Sequence, residues 1–345
     1  MDFATFDEVV AKLTKSKRQM HLLMGNGFSV SYDPNIFSYN ALHEFIGNMK
    51  DATLVKLFAA LKTKNFELVM QQLETSLLLL DLLDADEKIK NELKVLYEGL
   101  KAGLIDAIRL LHPEHVFKVS DEQCASCAKF LSLFLATNGD IYTTNYDLLL
   151  YWVVMREKEL RANDGFGYDL LNPVEITKGA EEEWSELMWG PNQSDQNIFY
   201  LHGALPLFDA GSAIHKETYG RDAMLLENIQ KRIEKKEYPI FVTAGDGDEK
   251  LAQIRHNNYL SDCYDNLSTI DGSVVTFGFG FGKYDDHIID ALNRAAHYQH
   301  KVPPKLWSIY IGVYTKADEA HIESIRHKFH MTVYTYDAST VKIWS

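Results

Sequence analysis

Four short stretches hold side chains that could do chemistry. They are Gly25-Asn26-Gly27-Phe28-Ser29, Thr143-Thr144-Asn145-Tyr146-Asp147, Tyr200-Leu201-His202-Gly203 and Phe277-Gly278-Phe279-Gly280-Phe281-Gly282. His202 carries an imidazole, which near neutral pH can accept a hydroxyl or water proton as a general base. Gly203 beside it leaves space for a substrate. Asn145 offers a donor and an acceptor from one amide, which suits ribose hydroxyls or a positioned water. Asp147 could instead cap the helix that follows. Glycines at 25 and 27 let a backbone approach a phosphate closely, or simply make a tight turn. No Gly-Lys-Ser/Thr follows them, and Val30 stands where a G-x-G-x-x-G run needs its third glycine, so neither familiar phosphate loop is present. The alternation of Gly and Phe at 277–282 would let amides meet a ligand while rings pack beneath. A bulge or turn is the plainer alternative, although each glycine costs chain entropy on ordering.

The elements that must position these residues alternate between strand and helix. "MHLLMG" (20–25) is a short apolar run ending in glycine, which predicts a buried strand. "DIYTTN" (140–145), "NIFYLHG" (197–203), "YPIFVTAG" (238–245), "GSVVTFGFG" (272–280), "KLWSIYIGV" (305–313) and "HMTVYTYD" (330–337) predict further strands. "YDLLLYWVVMREKEL", "NYLSDCYDNL" and "DDHIIDALNRAAHY" read as helices between them. Such alternation implies a parallel sheet with helices on both faces. Ligands of such sheets bind at the carboxyl ends of the strands, where all four stretches fall. Residues 38–118 read as helix almost throughout, from "LHEFIGNM" through "KIKNELKVLYEGLKAGLIDAIRLL", which predicts a helical insertion.

With 345 residues, of which 46% are apolar and 24% charged, the chain has the composition of a globular protein with a real core. A formal charge of -14 argues against direct nucleic-acid or anionic-membrane contact. The basic run "KRIEKKE" is interleaved with Glu and reads as a solvated helix face. Three cysteines are too few for a disulfide framework. Cys124 and Cys127 form a lone C-x-x-C in a helical pattern, which reads as two buried helix residues rather than zinc ligands. No secretory signal opens the chain, and "SLLLLDLL" is too short to span a bilayer, so a cytoplasmic protein is expected.

Taken in order, the motifs resemble the sirtuin-like NAD-binding fold. Sirtuins carry Gly-Ala-Gly-Ile-Ser after the first strand, then Thr-Gln-Asn-Ile-Asp, then His-Gly. This chain has Gly-Asn-Gly-Phe-Ser, Thr-Thr-Asn-Tyr-Asp and His202-Gly203. "GFGFGKYDDHI" (278–288) is similar to a late element of bacterial sirtuin-like NADases of antiviral-defence type, with Gly280 in place of a Ser. The stretch 242–264 is also similar to one such group. The implied fold is α/β, a single domain over 1–345 with a Rossmann-like parallel sheet and an all-helical insertion after the first strand.

The resemblance implies that Gly25, Asn26, Gly27, Phe28 and Ser29 line the NAD phosphates and ribose. Thr144, Asn145 and Asp147 would serve the nicotinamide ribose, with Asn145 catalytic, and His202 would be the catalytic base. Gly278, Phe279 and Gly280 would meet the adenosine half, while Asp285 and His287 match the family element and could instead only anchor a helix. Only Cys263 follows His202, so the zinc ribbon of protein-deacylating sirtuins cannot form. No zinc and no cofactor beyond NAD as substrate are expected.

The implied activity is NAD+ glycohydrolysis to nicotinamide and ADP-ribose. Control would come from homo-oligomerisation or from a partner such as a HerA-like ATPase, an Argonaute-like protein or a phage protein. A non-catalytic NAD or ADP-ribose sensor is the alternative, and a zinc-free deacylase or ADP-ribosyltransferase a more distant one.

Overall fold

A computed structural model describes residues 3–33, 52–61, 66–111, 116–168, 187–211, 213–218, 224–235, 237–242, 247–297 and 305–345. In chain order the strands are β1 (Ala4–Thr5), β2 (Met20–Met24), β3 (Ile141–Thr143), β4 (Phe166–Tyr168), β5 (Leu187–Trp189), β6 (Ile198–Tyr200), β7 (Gly203–Asp209), β8 (Ile214–Lys216), β9 (Pro239–Phe241), β10 (Gly272–Phe277), β11 (Leu306–Val313) and β12 (Thr332–Asp337). The helices are α1 (Phe6–Lys15), α2 (Gly27–Tyr32), α3 (Ala52–Ala60), α4 (Phe66–Leu82), α5 (Glu87–Leu111), α6 (Asp121–Leu135), α7 (Leu149–Arg156), α8 (Leu225–Glu234), α9 (Gly247–His256), α10 (Asn258–Leu267), α11 (Asp286–His297) and α12 (Lys316–Ile325).

Seven strands form one parallel sheet in the order β1-β12-β11-β10-β2-β3-β6. Its central strands are buried on both faces, which is why β2 reads as unbroken apolar sequence rather than an alternation. On one face Phe6 of α1 packs against Phe130 and Phe134 of α6, and Phe130 meets Phe277 of β10. On the other, the Tyr142 hydroxyl of β3 bonds Asn266 of α10, and Tyr264 of α10 donates to the His287 carbonyl of α11 at 3.0 Å. The Rossmann-like α/β expectation is therefore correct. The capping boxes at Thr5, Ser120 and Thr315 start α1, α6 and α12 in register, each satisfying backbone donors that a helix start leaves orphaned.

Three details differ from the sequence reading. The edge strand β1 precedes β2, so the helical insertion follows the second strand of the chain rather than the first. Two residues are too short to leave a periodic signal. The strand within 238–245 does not join the parallel sheet: β9 pairs antiparallel with β7 in a second sheet ordered β4-β5-β8-β7-β9. Four strands of that sheet have only three residues each, and a run that short cannot reveal the direction of its partner. The third difference is that "NIFYLHG" is not one strand. It ends β6 at Tyr200, turns at Leu201 and His202, and enters β7 at Gly203.

Within the insertion, α3, α4 and α5 are helical as expected, and α4 packs along α5. The helix expected over 42–49 and the end of the strand expected at 243–245 lie outside the described residues. Cys124 and Cys127 are buried, unpaired thiols on α6, in the packing role their helical spacing suggested.

Candidate functional site

The strands β10, β2, β3 and β6 are consecutive neighbours in the sheet, and their carboxyl ends carry the four predicted stretches. The first and last stretches are joined backbone to backbone. Gly25 N–H donates to the Phe277 carbonyl at 3.1 Å, and Gly27 N–H to the Gly278 carbonyl at 2.9 Å. A Cβ on Gly27 would stand 2.4 Å from Gly278 Cα, and one on Gly25 would stand 2.7 Å from Gly278 O. These glycines therefore allow two loops to touch, and their amides are already spent on that contact. Gly278 turns with φ +64°. Phe281, a bulky residue at φ +49°, is held by its burial against Phe279 and Phe329. Gly280 is exposed. Asp285 closes the loop: it accepts from Gly282 N–H at 2.9 Å and from Lys250 Nζ at 3.1 Å.

The middle stretches form two polar clusters. In the first, Asn145 Nδ2 donates to Ser29 Oγ at 2.9 Å, and Ser29 Oγ–H donates to Asp147. Asp147 also accepts from Leu149 N–H at 2.9 Å, one residue before the N-cap Leu148, so it braces the turn into α7 rather than capping the helix. Burial raises the Asp147 carboxyl pKa, and the Ser29 and Leu149 hydrogen bonds lower it in part. With one Nδ2 hydrogen given to Ser29, Asn145 keeps its second N–H and its Oδ1 for a ligand. Thr144 N–H donates to the Met24 carbonyl at 3.1 Å, which ties this loop to β2.

The second cluster centres on His202, which sits in the turn between the two sheets. Leu201 N–H bonds the Thr143 carbonyl at 2.9 Å, and Val242 N–H bonds the His202 carbonyl at 2.9 Å. Gly203 turns away with φ +79°, and a Cβ there would lie 2.0 Å from the Ile240 carbonyl oxygen. The His202 ring lies 2.8 Å, Nε2 to Nε2, from His287, which opens α11. Burial is the first cause that holds His202 well below the usual imidazole pKa, followed by His287 and Lys250. Burial and then Lys250 push His287 down to about 3, with Asp286 and the Tyr284 carbonyl acting the other way. Both rings are therefore neutral at pH 7.

Neutral burial has a consequence for stability. The unfolded chain takes up protons on these histidines below pH ~6.5, whereas the folded one does not until about pH 3 for His287. Stability is therefore present above pH 6.5 and is lost as pH falls from there towards 3. The expected loss is roughly 1 kcal/mol per pH unit for each ring. Lys250, Asp285 and Asp286 are the charged neighbours, and none of them reverses this sign. Denaturant melts at pH 7 and pH 5 measure it: the pH 5 loss should shrink in His202→Gln and His287→Gln, and an unchanged loss would contradict neutral burial.

Over residues 22–344 the chain matches the model of a domain of unknown function, DUF4917. The chain belongs to the DUF4917 family. No curated protein sequence matches it. The matched span contains every residue of both clusters, so the rim belongs to the family domain and not to an appended segment.

Several side chains of this DUF4917 chain have packing partners that the motifs do not show. The Phe28 ring is buried, 5.0 Å from Trp344, and so faces the carboxyl-terminal tail. Trp344 Nε1 also donates to the Phe28 carbonyl at 3.2 Å, so the last residues of the chain brace the helix that carries Ser29. Phe279 is buried and packs where a Gly25 side chain would be. Sequence reasoning did not single out Lys250 or Trp344. Lys250 lies in an ordinary charged helix start, and nothing local marks it. Trp344 follows the last strand without any motif.

Among the described residues, no three His, Cys, Asp or Glu side chains gather as metal ligands. No helix there is long and apolar enough to cross a membrane.

Proposed function

We propose that this chain is an NAD+ glycohydrolase that releases nicotinamide and ADP-ribose, an antiphage-defence effector held in check by assembly or by a partner protein. The observation that supports the reading is the convergence of Asn145 and His202, with both glycine loops, at the carboxyl ends of four adjacent parallel strands. Open α/β sheets bind their ligands at that edge. A neutral, buried imidazole and an amide fixed by a buried serine are the groups that the reaction needs.

The nicotinamide–ribose bond already has a cationic leaving group, so its rupture builds oxocarbenium character on the ribose carbon. The bond from that carbon to nitrogen breaks, and nicotinamide leaves as a neutral molecule. A water oxygen forms the new bond to carbon. Its proton passes to His202, or His202 first takes one from a ribose hydroxyl, and then to solvent. Asn145 Oδ1 accepts from the ribose hydroxyl or the water, and Ser29 with Asp147 holds that amide in place. Incubation with NAD+, with and without an acylated peptide, tests the class of reaction. Peptide-independent nicotinamide release supports the proposal. Release only with peptide indicates a deacylase, and binding without release a sensor.

Control by assembly is supported by the insertion. Leu78, Leu79 and Leu82 of α4 and the adjoining Leu83 are 60%, 51%, 71% and 76% exposed. Four solvated leucines so close together favour contact with another protein surface. The double variant Leu79→Glu, Leu83→Glu is expected to lower the assembled fraction in light scattering while leaving stability within about 0.5 kcal/mol. A wild-type protein that is monomeric at every concentration and fully active alone would contradict this control.

A further inference from the structure

The two polar clusters of the rim are stitched together at Tyr146, which directly follows Asn145. Its hydroxyl donates to the Val242 carbonyl at 2.7 Å. Val242 in turn donates its N–H to the His202 carbonyl at 2.9 Å. Strand β9 pairs with β7 only as far as Phe241 opposite Gly203, so the Val242 bond is the last rung of that ladder. A last rung frays unless its far side is held, and here the Tyr146 hydroxyl holds it. Val242 is 1% exposed, so bulk water does not stand in for either bond. The Tyr146 backbone takes part as well: its carbonyl accepts from Leu205 N–H at 2.8 Å, on β7 just beyond His202. The Tyr146 ring meets Phe241 edge-on with centroids 5.1 Å apart, which fixes the ring that carries the hydroxyl.

We propose that Tyr146 is a positioning residue: acting through Val242, its hydroxyl fixes the His202 turn relative to Asn145. This rests on the reading of Asn145 and His202 as the reacting pair. That reaction needs both groups on one ribose at once, yet they stand on different loops, and His202 lies in a turn between two sheets. The turn is tied on both sides. Leu201 N–H, bonded to the Thr143 carbonyl at 2.9 Å, fixes its entry. The Val242 bond fixes its exit, and Tyr146 fastens Val242. Removing the hydroxyl therefore loosens the exit and leaves the entry as it is. A misplacement of about 1 Å in a reacting group can cost ~10²-fold in rate, so even a partial loosening is measurable.

The test is Tyr146→Phe, which keeps the ring against Phe241 and removes only the hydroxyl, read by NMR-detected hydrogen exchange and by NAD+ turnover. The Val242 amide is expected to exchange about 10-fold faster or more, while the Leu201 amide keeps its wild-type rate. The value of kcat is expected to fall about 10-fold with KM little changed, because alignment of the base is lost and substrate binding is not. In a His202→Gln background the same substitution is expected to cost nothing further, since its effect runs through His202. An unchanged Val242 exchange rate would overturn the proposal, as would equal quickening at Leu201, an unchanged kcat, or a full further loss in the His202→Gln background. If wild type releases no nicotinamide, the functional reading falls, while exchange at Val242 still decides whether Tyr146 holds the last rung.

Discussion

Replacing His202 by alanine is expected to slow nicotinamide release from NAD+ by ~10²–10⁴-fold, the usual contribution of a general base. The size follows from the site having no second neutral imidazole in the same turn. His287 stands behind His202, on the far side of their shared hydrogen. The fold should survive. His202 lies in a turn that is held by backbone bonds from Leu201 to Thr143 and from Val242 to the His202 carbonyl, and an alanine keeps both. The loss of the ring leaves His287 Nε2 unpaired, a cost of about 1–3 kcal/mol. His202→Gln separates the two effects, since its amide can still bond His287 but is not basic. It should melt close to wild type and be as inactive as the alanine variant. Wild-type-like turnover by either folded variant would remove His202 from the mechanism.

Gly27→Ala is expected to be the most damaging small substitution on the rim. Its Cβ would stand 2.4 Å from Gly278 Cα, and the obstacle is backbone that cannot rotate aside. The two loops would have to part, with loss of the 2.9 Å bond from Gly27 N–H to Gly278 O. Overpacking of this kind costs about 1–3 kcal/mol, and the lost hydrogen bond about 1 more. Ser29, two residues on, would move with the loop, and the Asn145–Ser29–Asp147 chain would move with Ser29. Both the melting temperature and NAD+ turnover should therefore fall together. Gly280→Ala is the internal control, because a Cβ there meets nothing within 4 Å. A Gly27→Ala protein with wild-type melting would show that the two loops are not in contact.

The parallel sheet was legible because β2, β10, β11 and β12 are five- to eight-residue strands separated by helices, and the three-residue β3 and β6 lie within longer apolar runs. β2 and β10 are fully or almost fully buried, and their sequences show it. The second sheet was not legible. Its strands are short, and β7 carries Pro206, which interrupts the usual pattern. A hairpin signal did exist there: Asp209-Ala210-Gly211 joins β7 to β8, with Gly211 at φ +79°. The four-stretch rim was readable since each stretch lay just after a predicted strand. What could not be read was how the stretches use one another. Gly25 and Gly27 looked like residues that make room for a phosphate, yet the room they make is taken by Gly278 and Phe279. Phe28 looked like part of a ligand wall, yet it faces Trp344 from the other end of the chain. Such pairings span hundreds of residues, and no local pattern encodes them. His287 could be placed on a helix from sequence, but its contact with His202 required the turn between the sheets.

The most direct measurement is nicotinamide release from NAD+ by the purified chain, run beside Asn145→Ala and His202→Ala and paired with calorimetric NAD+ binding to all three. The account predicts release by wild type, loss of release in both variants and retained binding in at least His202→Ala. Equal release by all three proteins, or a wild-type protein that neither binds nor cleaves NAD+, would contradict it.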